Sequence, residues 1–288
     1  MVSHTETKDS RRGLIEIHIA VLFFGLAGLF GKLVFLPSTI IVLGRVFFAT
    51  IFLTLVLVYR KQEIKLRQKQ DYFFMALMGV ILAVHWIAFF QAIQVSTVAI
   101  GLLTFSTFPV FVTFLEPIFF KERLDLRDIF VELVAVIGVA FVIEEFEIRN
   151  SMTRGALWGI FSGFTFALLS LMNRKYVKEY SSIVVAFYQD FIATLVLLPF
   201  IFMTAPVFRL TDIFLLFILG VVFTGLAHTL FIKGLTHIKA QKASIIACLE
   251  PVYGIIAAIM LFGAIPTLRV VLGGVIILGA AFYATIKN

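Results

Sequence analysis

Apolar residues fall into ten long runs, and short polar segments separate these runs from one another. A helix needs about 20 apolar residues to cross a bilayer, and the alternating polarity of membrane strands is absent here. The first run, which starts near Leu14, has no small-residue cleavage pattern, so we expect it to be retained. The pattern predicts an all-α membrane protein whose spans, numbered 1 to 10, cover residues 14–34, 38–59, 72–93, 98–120, 129–145, 155–173, 183–203, 211–235, 240–262 and 267–286.

Composition excludes an ordinary soluble domain. Of the 288 residues, 61% are hydrophobic and 14% are charged, whereas soluble domains carry about 25% charged residues. Cys248 is the sole cysteine, so no intrachain disulfide and no cysteine-rich metal site is possible. We expect neither a metal nor another cofactor.

The charges in the polar segments predict how the chain is oriented. If the N-terminus is cytoplasmic, 18 Lys and Arg residues fall on the cytoplasmic side and 5 on the other, while Arg45 lies within span 2. Cytoplasmic loops collect such residues, so this bias favours ten spans with both termini in the cytoplasm. Because these charges lie between apolar runs, the net charge of +7 does not indicate a nucleic-acid-binding protein. The pattern predicts a multi-pass protein of the cytoplasmic (inner) membrane.

The second half of the chain repeats the first. Ala92 to Pro109 aligns without a gap with Gly234 to Pro251 at an offset of 142, and Phe47 to Leu53 aligns with Phe191 to Leu197 at 144. We infer a cytoplasmic tail at 1–12, a first five-helix repeat at 13–150 and a second at 151–288. Five is odd, so the second repeat is expected to cross the membrane inverted, an arrangement typical of secondary transporters.

Five short motifs stand out along the chain. They are Phe23 to Lys32 (FFGLAGLFGK), Arg45 with Phe47-Phe48, Thr107-Phe-Pro109, Lys121-Glu-Arg-Leu124 and Leu249-Glu-Pro251. Together they resemble the drug/metabolite transporter superfamily, most closely its EamA-type ten-helix members. One departure is Gly263-Ala-Ile-Pro266, where the family often has a Gly-Glu-Arg-like turn. The resemblance implies a central cavity lined by spans 3, 4, 8 and 9, with help from 1 and 6. It also implies a peripheral span 2, and export of amino acids or related metabolites.

Glu250 is the main candidate for substrate binding and proton coupling. It lies midway along span 9, where a charged group costs about 2.5–3.5 kcal/mol and usually faces a cavity or a partner. Pro251 follows it and predicts a kink, and Phe108 is its counterpart in the first repeat. The carboxylate would hold the ammonium group of a substrate or exchange a proton; the alternative is pairing with a neighbouring Lys or His.

Other side chains in the membrane are weaker candidates. Further substrate contacts are predicted at His228, Trp86, Tyr253, His85, Phe89 and Phe105, each with ordinary packing as the alternative. Asp190 in span 7 is a second candidate for proton coupling. For Arg45 a structural role is favoured, because the resemblance places span 2 at the periphery. Glu116 is expected to be solvated or paired with a loop.

These features favour a secondary transporter that works by alternating access. The chain has no HExxH, GxSxG or GxxxxGK[ST] motif and no room for a soluble ATPase domain, so we expect neither an enzyme nor an ATP-driven pump. The expected partners are a small-molecule substrate, the lipid bilayer and protons as the coupling ion. A channel-like facilitator or scramblase is the alternative function, and a lipid-modifying enzyme a distant third. The sequence leaves a monomer and a homodimer equally open.

Overall fold

The computed structural model describes residues 2–121, 134, 136–142, 147 and 149–286. Within these ranges the regular structure is helical throughout, which confirms the all-α prediction. The helices are α1 (Val2–Ala27), α2 (Phe30–Leu33), α3 (Ser38–Tyr59), α4 (Lys69–Val95), α5 (Val98–Phe105), α6 (Phe108–Phe120), α7 (Ser151–Tyr176), α8 (Ser182–Leu197), α9 (Phe200–Thr204), α10 (Leu210–Gly220), a π-helix (Val221–Leu226), α11 (Ala227–Gly234), α12 (Ala240–Ala247), α13 (Glu250–Phe262) and α14 (Leu268–Ile286).

Among the described residues, six helical stretches are long and apolar enough to cross a membrane, and shorter apolar helices accompany them. Their outer faces are also apolar, since Leu55, Phe73 and Phe214 are each 60% or more exposed. Such surfaces suit lipid, because lipid imposes no penalty on exposed hydrocarbon. About half of predicted span 5, at 129–145, lies outside the described residues, and its described residues 136–142 are helical. The count of ten spans and the location of the termini stay predictions.

Spans 4 and 9 are broken at equivalent positions. α5 ends at Phe105 and α6 begins at Phe108, while α12 ends at Ala247 and α13 begins at Glu250, each pair 142 residues apart. The helix predicted to kink at Pro251 is thus interrupted just before that proline, at Cys248 and Leu249. Pro109 and Pro251 occupy the first turn of the new helices, where the missing N–H group is not needed.

The same equivalence holds at the ends of the restarted helices. Lys121 follows α6 and Gly263 follows α13, and both adopt the left-handed conformation. Glycine reaches that conformation without the steric cost of a Cβ atom, so the second repeat has the better-suited residue. The segment Gly263-Ala-Ile-Pro266 therefore keeps a glycine at the helix cap, although it lacks the glutamate of a Gly-Glu-Arg-like turn.

Span 8 contains one residue more than its counterpart in the first repeat. Asp71 and Asp212, which cap α4 and α10, are 141 residues apart, whereas Trp86 and His228 are 142 apart in the repeat alignment. The π-helix at Val221–Leu226 lies between Asp212 and His228. A single π-turn accommodates one extra residue, and such turns are frequent at functional sites.

The C-terminal end of α3 and the N-terminal end of α8 lie at the same end of the molecule. The Arg67 backbone N–H donates to the Tyr180 hydroxyl (2.9 Å), and the Tyr188 hydroxyl donates to the Ile64 carbonyl (2.9 Å). A cavity lined by both Arg60 and Lys233 places the end of α11 there too. We call this the basic end; by the charge bias of the sequence it is the end expected in the cytoplasm.

Candidate functional site

Glu250 is the first residue of α13 and lies at the break in span 9. Its side chain is 2% exposed, so it is enclosed in the interior of the helices. α1 crosses α13 here so closely that a Cβ atom on Gly25 would lie 2.6 Å from the Glu250 carbonyl oxygen. The break also meets its counterpart, because the Cys248 thiol donates to the Ser106 carbonyl (3.9 Å). Glu250 therefore lies where the two repeats meet.

Arg45 points into this interior from the middle of α3. It is fully buried, its Nε donates to the Thr224 hydroxyl (2.9 Å), and its guanidinium carbon lies 3.4 Å from the centre of the Trp86 ring. Thr224 belongs to the π-helix, so this irregular turn of span 8 supplies the hydrogen-bond acceptor. This hydrogen bond between helices agrees with the structural role predicted for Arg45, although the side chain also lies against Trp86 in the interior.

Two buried carboxylates lie near the guanidinium group of Arg45. Asp190 on α8 is fully buried, and both Asp190 and Glu250 are near enough to attract the guanidinium electrostatically. Within the described ranges, the two terminal nitrogens of Arg45 and both oxygens of Asp190 have no hydrogen-bond partner. The site therefore holds charged groups whose hydrogen-bonding capacity is largely unused.

The two histidines differ in their surroundings. Nδ1 of His85 lies 3.0 Å from both the carbonyl and the hydroxyl oxygen of Ser162, which joins α4 to α7. Its ring also packs against Phe166 (centroids 5.0 Å apart). His228 on α11 is 1% exposed, and neither of its ring nitrogens has a hydrogen-bond partner in the part of the chain described. His228 therefore has both ring nitrogens available for a ligand, whereas His85 has Nδ1 engaged by Ser162 and only Nε2 without a partner among the described residues.

The predicted aromatic residues form one closed cluster. Trp86 packs edge-on against Phe89 (5.5 Å), which packs edge-on against Phe105 (5.4 Å), and all three are at most 3% exposed. Trp86 also lies against Phe24 of α1 (6.2 Å). Tyr253 is half-buried, one turn beyond Glu250 and beside Gly25. Trp86 thus touches the charged centre directly, whereas Phe89 and Phe105 lie behind it.

We use the name central cluster for Arg45, His85, Trp86, Asp190, His228 and Glu250. Its members come from α3, α4, α8, α11 and α13, so both repeats contribute. The described residues contain no group of three or more His, Cys, Asp and Glu side chains suited to a metal ion. The chemistry that remains is recognition of charge, through one cation, two carboxylates and one aromatic face.

Contacts at the basic end tie one repeat to the other. Glu116 of α6 is 4% exposed and forms an ion pair with Arg174 of α7, so the predicted solvated or loop-paired role is wrong. The Lys233 ammonium group of α11 bonds Glu16 of α1 at 2.5 Å. The Tyr180 hydroxyl, just beyond α7, donates to Asp71 of α4. Sequence spacing gave no signal for these pairs, because their members lie 58, 217 and 109 residues apart.

Comparison with known proteins shows the family. Residues 11–144 and 153–286 each match the EamA-like transporter family. The uncharacterized transporter YxxF of Bacillus subtilis is 24% identical over 94% of this chain and 88% of its own length. An S-adenosylmethionine uptake transporter of Rickettsia bellii is 25% identical over 83% and 80% of the two chains. A solved crystal structure shares the fold, with a TM-score of 0.69, 15% identity, and coverage of 97% of this chain and 96% of that one. The chain therefore belongs to the EamA-like transporter family, and its two matched segments are the two repeats of that family.

Proposed function

We propose that the protein is a secondary active transporter that exports amino acids or related amine-bearing metabolites across the cytoplasmic membrane. Two inverted halves alternate in opening the central cluster to either side. Glu250 accepts the substrate ammonium group in one half-cycle and a proton in the other. His228, Trp86 and Tyr253 complete the substrate contacts, while Asp190 keeps Arg45 in place and takes part in proton coupling.

The charge balance of the central cluster carries this proposal. With both carboxylates ionised, Asp190 and Glu250 bring two negative charges against the single positive charge of Arg45. An uncompensated charge in a membrane interior is costly, so the cluster favours one further cation. A proton and a substrate ammonium group both meet that need, and each excludes the other. Competition of this kind couples substrate movement to a proton gradient.

The contacts at the basic end support alternating access. Glu116–Arg174, Glu16–Lys233 and Asp71–Tyr180 each join residues of different repeats. At the offset of 142 the counterparts of Glu116 and Glu16 are Ala258 and Trp158, neither of which carries charge. We infer that these contacts act as a cytoplasmic gate that closes by charge pairing, while the opposite end keeps one of the three acids, Asp212, which caps its own helix.

The relatives support the class of substrate and leave the direction to experiment. The Rickettsia proteins are named for uptake of S-adenosylmethionine, which carries an ammonium and a carboxylate group. A substrate of that chemistry suits a site with a carboxylate, an arginine and an aromatic face. Those relatives take up their substrate, so the export that we propose here needs a test of its own.

The test begins with a thermal-shift screen of amino acids, other amines and nucleosides on the purified protein. A true ligand raises the unfolding temperature by mass action, and the shift should vanish in Glu250→Gln. The selected ligand is then followed in proteoliposomes under an imposed proton gradient of either direction. We expect the substrate to accumulate against its own concentration gradient when protons flow in the opposite direction. Glu250→Gln should show no such accumulation.

Glu179→Gln is the matched control, because it makes the same substitution at an exposed acid of the loop after α7. It should retain wild-type flux. Unchanged flux in Glu250→Gln would remove Glu250 from the mechanism. Flux that far exceeds exchanger rates and ignores competing substrate would instead support a channel-like facilitator or scramblase.

A further inference from the structure

A groove of about 530 Å³ runs between α3, α8, the π-helix and α11 at the basic end. Its volume lies within the range of about 300–1,000 Å³ that is typical of small-molecule sites. One wall of the groove is apolar and is formed by Phe52, Leu53, Val56, Ile183, Leu226 and Leu230. The central cluster contributes no side chain to this lining, so the groove is separate from the proposed transport site.

The apolar wall of the groove faces outward. Leu226 is 40% exposed, and Phe52, Val56 and Leu230 are partly exposed. These residues belong to stretches that are apolar and long enough to cross a membrane. Because such outer faces contact lipid tails, the natural occupant of this part is a hydrocarbon chain.

The rim of the groove is polar and positively charged. Arg60, His237 and Lys233 line it, together with Gln62 and Ser182, and the described lining residues include no acid. Lys233 bonds Glu16, but Glu16 also binds Arg12 at 3.2 Å. One carboxylate between two cations leaves that group with a net positive charge. The rim therefore presents a positive field and several hydrogen-bond donors to whatever lies above the apolar wall.

A cationic rim beside an apolar wall matches an amphipathic molecule that has an anionic head and a hydrocarbon tail. An anionic phospholipid carries a phosphate at headgroup depth and acyl chains below it. Basic pockets between membrane helices on the cytoplasmic side bind such headgroups, and anionic lipids are enriched in that leaflet. We propose that this groove is a binding site for one anionic phospholipid, with its phosphate at Arg60 and His237 and one acyl chain along Phe52 and Val56.

Titration of purified protein with phosphatidylglycerol, followed by native mass spectrometry, tests the proposal. We expect one retained lipid to saturate first, with phosphatidylcholine unable to displace it. Arg60→Gln with His237→Gln should weaken this binding at least about fivefold, which is the contribution expected of one cation near an anionic lipid. Lys65→Gln removes one charge from the same loop but outside the groove, so it should weaken lipid binding by less than about fivefold.

The acyl part of the site is tested by filling the groove. Val56→Phe places a larger side chain in the wall, and Leu55→Phe makes a similar change on a neighbouring face that is 64% exposed. Only the first variant should lose the retained lipid, while circular dichroism and unfolding temperature confirm that both fold. Equal effects of Lys65→Gln and the rim variants would overturn the proposal in favour of diffuse surface charge. Equal retention of phosphatidylcholine would also overturn it. Displacement by soluble glycerol phosphate at matched concentration would identify the ligand as a free phosphate compound and not a lipid.

Discussion

Replacing Arg45 by Gln tests whether the central cluster is held together by charge. The substitution removes the cation that attracts both Asp190 and Glu250, and it removes the guanidinium that lies 3.4 Å from the Trp86 ring centre. Arg45 attracts these carboxylates without a hydrogen bond to Asp190, so its removal costs at most about 3–5 kcal/mol, the cost of breaking a direct buried ion pair, since the carboxylates lose their compensating charge. A desolvated cation–π contact adds about 2 kcal/mol, and protonation of a carboxylate gives part of the total back. We therefore expect Arg45→Gln to lower the free energy of unfolding by about 3–5 kcal/mol.

Reversible unfolding in mixed detergent micelles measures this change, and a double-mutant cycle assigns it. If Asp190 and Arg45 act as a pair, Arg45→Gln combined with Asp190→Asn should be more stable than the sum of the single losses predicts. Groups in one charged network couple by about 0.5–3 kcal/mol, which sets the size of the expected recovery. Arg154→Gln is the matched control at an exposed position outside the groove and should change stability by no more than about 0.5 kcal/mol. Strictly additive losses would refute the pairing of Arg45 with Asp190.

Two further predictions concern packing and gating. Gly25→Ala should destabilise the protein by about 1–3 kcal/mol and reduce flux, because its Cβ atom would lie 2.6 Å from the Glu250 carbonyl oxygen. At Gly279 no atom of the described residues lies within 4 Å of an added Cβ atom, so Gly279→Ala should do neither in the same unfolding and flux assays. Glu116→Gln should free Arg174 and raise hydrogen exchange at the basic ends of α6 and α7, as expected of a loosened gate. Unchanged exchange there would show that the ion pair has no part in closure.

The helical framework follows from local patterns, which explains why the sequence predicts so much of it. About 20 consecutive apolar residues have few stable alternatives to a membrane helix. The repeat alignment goes further, since it pairs Phe108 with Glu250, and both residues begin a helix after a break. The break lies where the proline predicted a kink, but the proline pattern does not reveal that the two residues before Glu250 leave the helix.

The composition of the central cluster depends on long-range geometry that the sequence does not show. Arg45 and Thr224 are 179 residues apart, and their hydrogen bond depends on a π-turn that has no local sequence motif. A peripheral helix can still send a long side chain inward, which family-level placement of span 2 does not capture. The one-residue change in offset between Asp212 and His228 was the available signal, and it becomes visible once the capping aspartates are aligned.

The central claim is that substrate and proton compete for the same negative charge, and proton release on binding tests it most directly. The ligand from the thermal-shift screen is added to purified protein in weakly buffered micelles, and the pH change is recorded. The charge balance predicts release of about one proton per bound amine in the wild type and none in Glu250→Gln. Saturating binding to the wild type without proton release would contradict the account.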